Sequence, residues 1–356
     1  MVLTKKTAKR GREQEIAMEE PPQDNPMARY FTNLVDFNKY QLIFAPRKEI
    51  TPRYLDLALL ETQNFHNLHR ILTKQNLLEF VKLKDRFYPT LVGIAYTTLS
   101  FEYDEEKPST FTMMFHLGTT KYELNVGDLC SLGQLNFSGT LFKHGDDPPP
   151  EWNFNRLQAC QFFNLNPNCG NKMPTKPMSD EYRLLHYLLV WVILPKNHNH
   201  SVVTDDDLPI LWALVNDLEI NWSYFISQHM KKIQEGPTTM GLGYVILWTK
   251  IFKMFNVDLS NTLEKSLRDT NIINIGTLHK MGRKGNEEDQ PQEQAQEHIG
   301  SSHDVPQPSM LDLMEQLQSI NVNIGRNHEI YQRNFTRMDR RLTRLDSQMQ
   351  GIYAHL

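Results

Sequence analysis

Apolar side chains recur at helical spacing through most of the central part of the chain, residues 28-281. Repeats of three and four residues predict helices at Asn64–Leu72 and Arg86–Leu99. The densest apolar segments are Asp180–Leu194, which contains the longest apolar run Leu184–Leu194, and Gly241–Phe255, where hydrophobic residues surround the whole helix. A helix that is apolar all round is buried, so we expect these two segments in a core.

The helices around this core also carry local start and stop residues. Ser179 precedes the Asp180–Leu194 helix as an N-cap, and Pro195 follows it, where a helix cannot continue. Leu208–Met230 continues the helical pattern, with Asp205–Asp207 ahead of it as a predicted cap.

The period of the pattern changes to two between residues 98 and 126. Thr98–Tyr103, Thr110–Leu117 and Lys121–Val126 are rich in β-branched and aromatic residues. They predict a three-stranded antiparallel β-meander, which is too small to be stable unless it packs on the helices. The predicted fold is therefore mainly α: a helical globular domain with a small antiparallel β-meander.

Two polar segments flank this domain. Residues 1-27 contain almost no large apolar side chains, and residues 282-309 are rich in Gln, Glu, Gly, Ser and Pro. Neither can bury enough apolar area to offset the entropy lost on ordering. We expect a disordered basic tail and a disordered linker.

A heptad pattern follows the linker in residues 310-354. Its apolar and polar a and d positions are Met314, Leu317, Asn321, Ile324, His328, Tyr331, Phe335, Met338, Leu342, Leu345, Met349 and Ile352. This 3-4 alternation predicts a C-terminal coiled-coil helix, which needs a partner to bury its apolar seam.

Two partners for the seam remain open. The helix could self-associate, most simply as a parallel dimer or trimer, or fold back on the globular domain. The polar linker and the narrow seam favour self-association, and therefore a homo-oligomer. Arginines between Arg326 and Arg344 outnumber the acids there. They could contact a nucleic acid backbone, although a solvated face with ion pairs is the interpretation we prefer.

Composition adds constraints on location. A net charge of −4 gives no overall field that attracts nucleic acid, so positive charge is local. One local cluster has the form of a nuclear-import sequence or of a generic solvated tail: Lys5, Lys6, Lys9, Arg10 and Arg12.

The basic N-terminal residues lack the apolar segment that follows them in a secretory signal peptide. The three cysteines are therefore expected as free thiols in a reducing compartment. We predict a nuclear protein, or otherwise a cytoplasmic one, with no membrane span.

No catalytic motif emerges from the residues that carry chemistry. Asp205–Asp207 are adjacent, whereas two-metal sites use carboxylates that converge from distant elements. Cys160 and Cys169, with His144 upstream, lack zinc-site spacing. We therefore expect no metal, no cofactor, no small-molecule substrate and no enzymatic activity.

Two further patterns have structural explanations. His198 and His200 suit a surface turn rather than a pair of metal ligands. Gly241 and Gly243 precede a helix, but neither a preceding strand nor a Gly-Lys-Ser/Thr sequence accompanies them. Close backbone packing explains these glycines better than phosphate binding.

The order of several segments resembles a known family. These segments are Arg86–Leu99, Phe111–Val126, Asp128–Gly133, Tyr182–Tyr187 and Asn221–Met230. Over residues 28-260 the chain resembles the plant transposon protein domain of long-terminal-repeat retroelements, is similar to the Athila-type first open reading frame, and is distantly like the plant mobile domain. The resemblance implies a mostly helical, retroelement-encoded or retroelement-derived plant protein, and it carries no catalytic residues.

Together these observations predict a non-enzymatic structural or interaction protein that self-associates through its C-terminal coiled coil. The alternative is a nuclear nucleic-acid-binding adaptor that uses the basic tail and the arginine-rich helix face.

Overall fold

The computed structural model describes residues 20–22, 24–274 and 276–277. The chain divides into two units at Glu288, and all the described residues belong to the first. The basic cluster Lys5–Arg12, the predicted linker 282-309 and the predicted coiled coil 310-354 lie outside the described residues, so these assignments stay predictions.

Helices form most of the regular structure. The α-helices of the described residues are α1 Leu34–Lys39, α2 His66–Lys74, α3 Leu78–Val81, α4 Pro89–Thr98, α5 Val126–Gly133, α6 Arg156–Phe162, α7 Asp180–Leu188, α8 Leu208–Val215, α9 Trp222–Glu235 and α10 Val245–Met254. Wide π-type turns extend α1 and α7 at Tyr40–Phe44 and Leu189–Ile193. The short 3-10 helices are Ala28–Tyr30, Leu57–Glu61, Gln63–Phe65, Pro150–Trp152 and Asp269–Asn271.

Seven strands form three small sheets in the described residues. The strands are β1 Tyr54–Leu55, β2 Ser100–Tyr103, β3 Phe111–Leu117, β4 Thr120–Asn125, β5 Lys172–Pro174, β6 Val202–Thr204 and β7 Ile272–Ile273. β2, β3 and β4 form an antiparallel meander. β1 pairs with β7 in parallel, and β5 pairs with β6 in antiparallel orientation.

The prediction of a mainly α fold is wrong. Helices account for 44% and strands for 13% of the described residues, so helices and sheets together build the domain. The meander lies where the pattern placed it, but the β1–β7 and β5–β6 pairs were not predicted. Their strands are only two or three residues long and pair with distant segments. The spacing of apolar residues in such short segments cannot predict a strand.

The meander packs on the helices through aromatic side chains. Phe115 of β3 meets Trp248 and Phe252 of α10, with ring centroids 5.2 and 6.1 Å apart. Tyr96 of α4 meets the same indole at 5.4 Å. All four side chains are buried. The sheet is thereby stabilised by burial against α4 and α10, as its small size requires.

Helix boundaries follow the predicted signals at both ends of the α7 segment, which continues through its π-type turns to Ile193, just ahead of Pro195, and depart from them elsewhere. Ser179 accepts a hydrogen bond from the Tyr182 amide, as an N-cap does. The predicted single helix Leu208–Met230 is two helices. Asp217 takes a left-handed backbone conformation, φ +59°, and Asn221 caps α9, which together end α8 and start a new helix.

No helix among the described residues is long and apolar enough to cross a lipid bilayer.

Candidate functional site

Asp207 lies at the start of α8 with a fully buried carboxylate. We predicted a helix cap, but this side chain makes no cap hydrogen bond to α8. One oxygen, Oδ1, accepts from Lys196 Nζ at 2.5 Å and from His144 Nε2 at 3.1 Å. The other, Oδ2, accepts from Thr204 Oγ1 at 2.7 Å. Asp207 therefore occupies the predicted N-cap position of α8, but its side chain serves this buried network instead of capping the helix.

Each donor reaches this carboxylate from a different element. Thr204 is the last residue of β6, so the β5–β6 pair fixes it. Lys196 lies three residues after Ile193, where the π-type turn that extends α7 ends. His144 lies on the loop that begins at Thr140, which forms a parallel bridge with Ile220. The carboxylate therefore ties together four segments of the domain interior.

The charge on Asp207 is stabilised despite its burial. Burial alone would raise the pKa of this carboxyl group, but the hydrogen bond from His144 and the positive charge of Lys196 hold the pKa well below its usual range. The carboxylate is therefore anionic at neutral pH. The Lys196 side chain is 17% exposed, so this is a largely desolvated ion pair.

His186 of α7 is a neutral neighbour of this ion pair. Its Nε2 atom lies 4.0 Å from Asp207 Oδ2 and is buried without a hydrogen-bond partner among the described residues. Burial lowers the pKa of His186 to about 4, and the nearby Asp207 charge only partly opposes this shift. The imidazole therefore remains uncharged at neutral pH.

His229 of α9 extends the polar interior toward α10. Tyr244 Oη donates to the Ile193 carbonyl at 2.9 Å and lies 2.7 Å from His229 Nδ1. Because the hydroxyl hydrogen is used on Ile193, His229 Nδ1 must be the donor in the second bond. Burial lowers the pKa of His229 well below its usual value, with the charges of His144 and Lys232 acting in the same direction.

The two neighbouring acids point elsewhere. Asp205 Oδ1 accepts from Arg156 Nε at 2.7 Å, and the Arg156 guanidinium also donates to the carbonyls of Pro167 and Gly170. Asp206 approaches Gly145, on the other side of the turn. The three adjacent carboxylates therefore contact three different neighbours. They do not converge as a two-cation centre requires.

The cysteine and histidine residues considered as metal ligands contact different neighbours. Cys160 is buried with its Sγ atom 3.3 Å from Met173 Sδ, while Cys169 is exposed. His200 stacks on the Trp191 ring at 3.8 Å, so it is more than a surface turn residue. Within the described residues, no group of three or more His, Cys, Asp or Glu side chains could hold a metal ion.

Close packing explains both glycines ahead of α10. A Cβ atom on Gly241 would lie 2.0 Å from Asn197 Oδ1, and one on Gly243 would lie 2.8 Å from Pro195 Cγ. Contacts this short exclude larger side chains unless the neighbours move. The expectation of close backbone packing is confirmed at both positions.

The geometry around Asp207 suits cohesion of the domain better than proton transfer. Both carboxylate oxygens already accept hydrogen bonds, and the free nitrogen of His186 is buried. The sequence did not reveal this network, because Thr204, Lys196 and His144 lie 3, 11 and 63 residues from Asp207. Only Thr204 is near enough for a local pattern to include it.

Comparison with protein-family models, with curated proteins and with solved structures finds no match for this chain.

Proposed function

We propose that the protein is a non-enzymatic structural or interaction protein, encoded by or derived from a plant retroelement, that self-associates through residues 310-354. The observation that carries this proposal is the heptad repeat from Met314 to Ile352. A helix with so narrow an apolar seam is stable only when a partner covers it. The segment resemblance described above supports the retroelement origin.

The polar contacts inside the domain are consistent with this role. The buried acid Asp207 is used in contacts to Lys196, His144 and Thr204, which hold separate segments together. A rigid domain joined to an oligomerising helix is an arrangement that presents several copies of one surface.

Light scattering coupled to size-exclusion chromatography tests self-association in the full-length protein. We expect an oligomer for the unaltered chain and a monomer for the Leu342→Glu/Leu345→Glu variant, because two charges in the seam cannot be buried without partners. The matched control is Thr343→Glu/Ser347→Glu, which places the same charges at b and f positions of the same heptad. A monomeric unaltered chain, or a seam variant that remains oligomeric, would refute the proposal.

A second candidate function is a nuclear nucleic-acid-binding adaptor. Counting from the seam, Arg326, Arg333 and Arg340 occupy f positions, and Arg337 and Arg344 occupy c positions. These positions face away from the seam, so the arginines would remain free for phosphate contacts in an oligomer.

Fluorescence anisotropy with a labelled DNA duplex and a labelled single-stranded RNA tests this second candidate. Affinity should fall steeply with salt, and replacement of the five arginines by glutamine should reduce the salt dependence. Absence of binding at low salt would exclude it. Nuclear import through Lys5–Arg12 predicts that replacing the basic residues by alanine shifts a fluorescent fusion from nucleus to cytoplasm.

A further inference from the structure

A surface cleft of about 520 Å³ lies between two loops and a short helix of the domain. Its lining comes from Gly139–Leu141, from Leu218 and Glu219, and from Pro149, Glu151 and Trp152. Its volume falls within the range of roughly 300 to 1,000 Å³ that is typical of ligand pockets in proteins. It is therefore large enough to accept one or two amino-acid side chains.

The walls of this cleft are held by interior contacts. The Thr140 amide donates to the Glu219 carbonyl at 2.8 Å, which joins the first two lining segments. Trp152 is buried against Phe142, with ring centroids 4.8 Å apart, and this fixes the third segment. Walls held in this way need little reordering when a ligand binds.

A glycine allows the first two lining segments to meet. Gly139 has φ +97°, and a Cβ atom on it would lie 2.8 Å from the Glu219 carbonyl group. Both the backbone conformation and the close approach exclude larger side chains at this position.

The rim of the cleft carries negative charge that the domain does not neutralise. Glu151 and Glu219 line the cleft and are exposed, and neither forms a salt bridge with another described residue. Nearby Asp217 differs, because it pairs with Arg70 at 2.6 Å and with Lys74 at 3.1 Å. Two carboxylates without a salt-bridge partner among the described residues therefore lie together at the cleft.

Apolar surface accompanies this charge. Leu141 lines the cleft and is 39% exposed, and Phe137, two residues from Gly139, is 65% exposed. The accessible Leu141 side chain gives an inserted apolar side chain a surface to pack on. The acidic rim disfavours nucleic acids and phosphorylated ligands, because like charges repel.

We propose that this cleft, named here the Glu151–Glu219 cleft, docks a segment of a partner protein that inserts a leucine or aromatic side chain and carries arginine or lysine on either side of it. The apolar side chains in the lining, Leu141, Leu218 and Trp152, would contact the inserted side chain, and the two rim carboxylates would pair with the flanking cations. This binding site is independent of self-association through residues 310-354.

Selection of peptides from a random 12-residue phage library against the full-length protein tests this proposal. We expect enrichment of peptides with an aromatic or leucine residue between basic residues. Synthetic copies of the enriched peptides should bind about tenfold more weakly to the Glu151→Lys/Glu219→Lys variant, because two attractive charge pairs become repulsive. Replacing their basic residues by glutamate should have a similar effect.

The matched control is Glu105→Lys/Glu106→Lys, which makes the same charge change on an exposed loop between β2 and β3. It should leave peptide affinity unchanged, which separates a local effect from a change in net charge. Enrichment of no peptide, enrichment of peptides without basic residues, or equal loss in both variants would overturn the proposal. So would an oligomeric mass that depends on Glu151 and Glu219, since a second copy would then be the occupant.

Discussion

Two groups of acids in this domain are used in opposite ways. Asp207 is fully buried, and its oxygens accept hydrogen bonds from Lys196, His144 and Thr204. Glu151 and Glu219 are exposed at a cleft and form no salt bridge with a described residue. Burial without partners would be prohibitive for a carboxylate, whereas exposure without partners costs little because water solvates the charge.

This difference separates cohesion from recognition. A charge that is desolvated and fully paired is unavailable to a ligand, and removing it leaves its partner buried and unpaired, which destabilises the domain. A charge that is hydrated and unpaired contributes little to stability but remains available to an oppositely charged partner. Substitutions at Asp207 should therefore change unfolding, and substitutions at Glu151 and Glu219 should change binding.

The largest expected effect is that of Asp207→Asn. The substitution retains the shape of the side chain but leaves the largely buried Lys196 ammonium without its counter-charge. We expect the free energy of unfolding to fall by about 4 kcal/mol, the range found when one partner of a buried ion pair is removed. Urea denaturation at pH 7.5 measures this change.

The neighbouring Asp205→Asn is the control for this measurement. Asp205 pairs with Arg156, but both side chains are more than a third exposed. Its loss should cost less than about 1 kcal/mol. Equal losses for the two variants would show that burial does not distinguish the two acids.

Acidification should weaken the same buried network through His186. The pKa of His186 is lowered from 6.5 to about 4 in the folded protein, so only the unfolded chain takes up this proton between those values. Stability is therefore fully present above pH 6.5 and is lost as the pH falls toward 4. Between pH 7.5 and 4.5 this group alone should account for a loss of about 2 kcal/mol.

The contribution of His186 is isolated by comparing variants over the same pH range. In His186→Gln the fall in unfolding free energy should be smaller than in the unaltered protein, whereas His69→Gln on the exposed face of α2 should change nothing. His229, whose pKa is also lowered, adds a loss of the same sign in all three proteins. Identical pH profiles for the unaltered protein and His186→Gln would contradict this account.

A smaller loss is expected for Tyr244→Phe. The change removes one hydroxyl and leaves both His229 Nδ1 and the Ile193 carbonyl without their partner. Buried polar groups left unpaired should lower the unfolding free energy by about 1 to 2 kcal/mol. Tyr122→Phe, at a half-buried ring stacked on Phe115, is the matched control and should be nearly neutral. Equal losses of unfolding free energy in Tyr244→Phe and Tyr122→Phe would show that removing any tyrosine hydroxyl lowers stability. The buried hydrogen bonds of Tyr244 would then not be the cause.

The sequence predicted those parts of the fold that depend on the spacing of residues close together in the chain. The meander strands β2, β3 and β4 and the cap at Ser179 involve residues close together in the chain, so their patterns were sufficient. The mainly α assignment failed because β1 and β5 are two or three residues long and pair with strands from distant segments. No local pattern contains that information.

The same limit applies to the two groups of acids. Asp205–Asp207 look equivalent in the sequence, and only the folded chain brings His144 and Lys196 to one of them. Glu151 lies in the short 3-10 helix after three prolines, and Glu219 lies between two helices, 68 positions further along the chain. Their shared cleft depends on the bridge between Thr140 and Ile220, which is a tertiary contact.

The smallest expected effect on stability is that of Glu151→Gln/Glu219→Gln, and it is the sharpest test of the comparison. Both side chains are exposed and lack a salt-bridge partner among the described residues, so their neutralisation removes no favourable pair. The free energy of unfolding should stay within about 0.5 kcal/mol of the unaltered value, as for most surface substitutions. Urea denaturation at low and at high salt measures it. A loss comparable to that of Asp207→Asn would mean that these glutamates hold the cleft together, and their separate assignment to recognition would then fail.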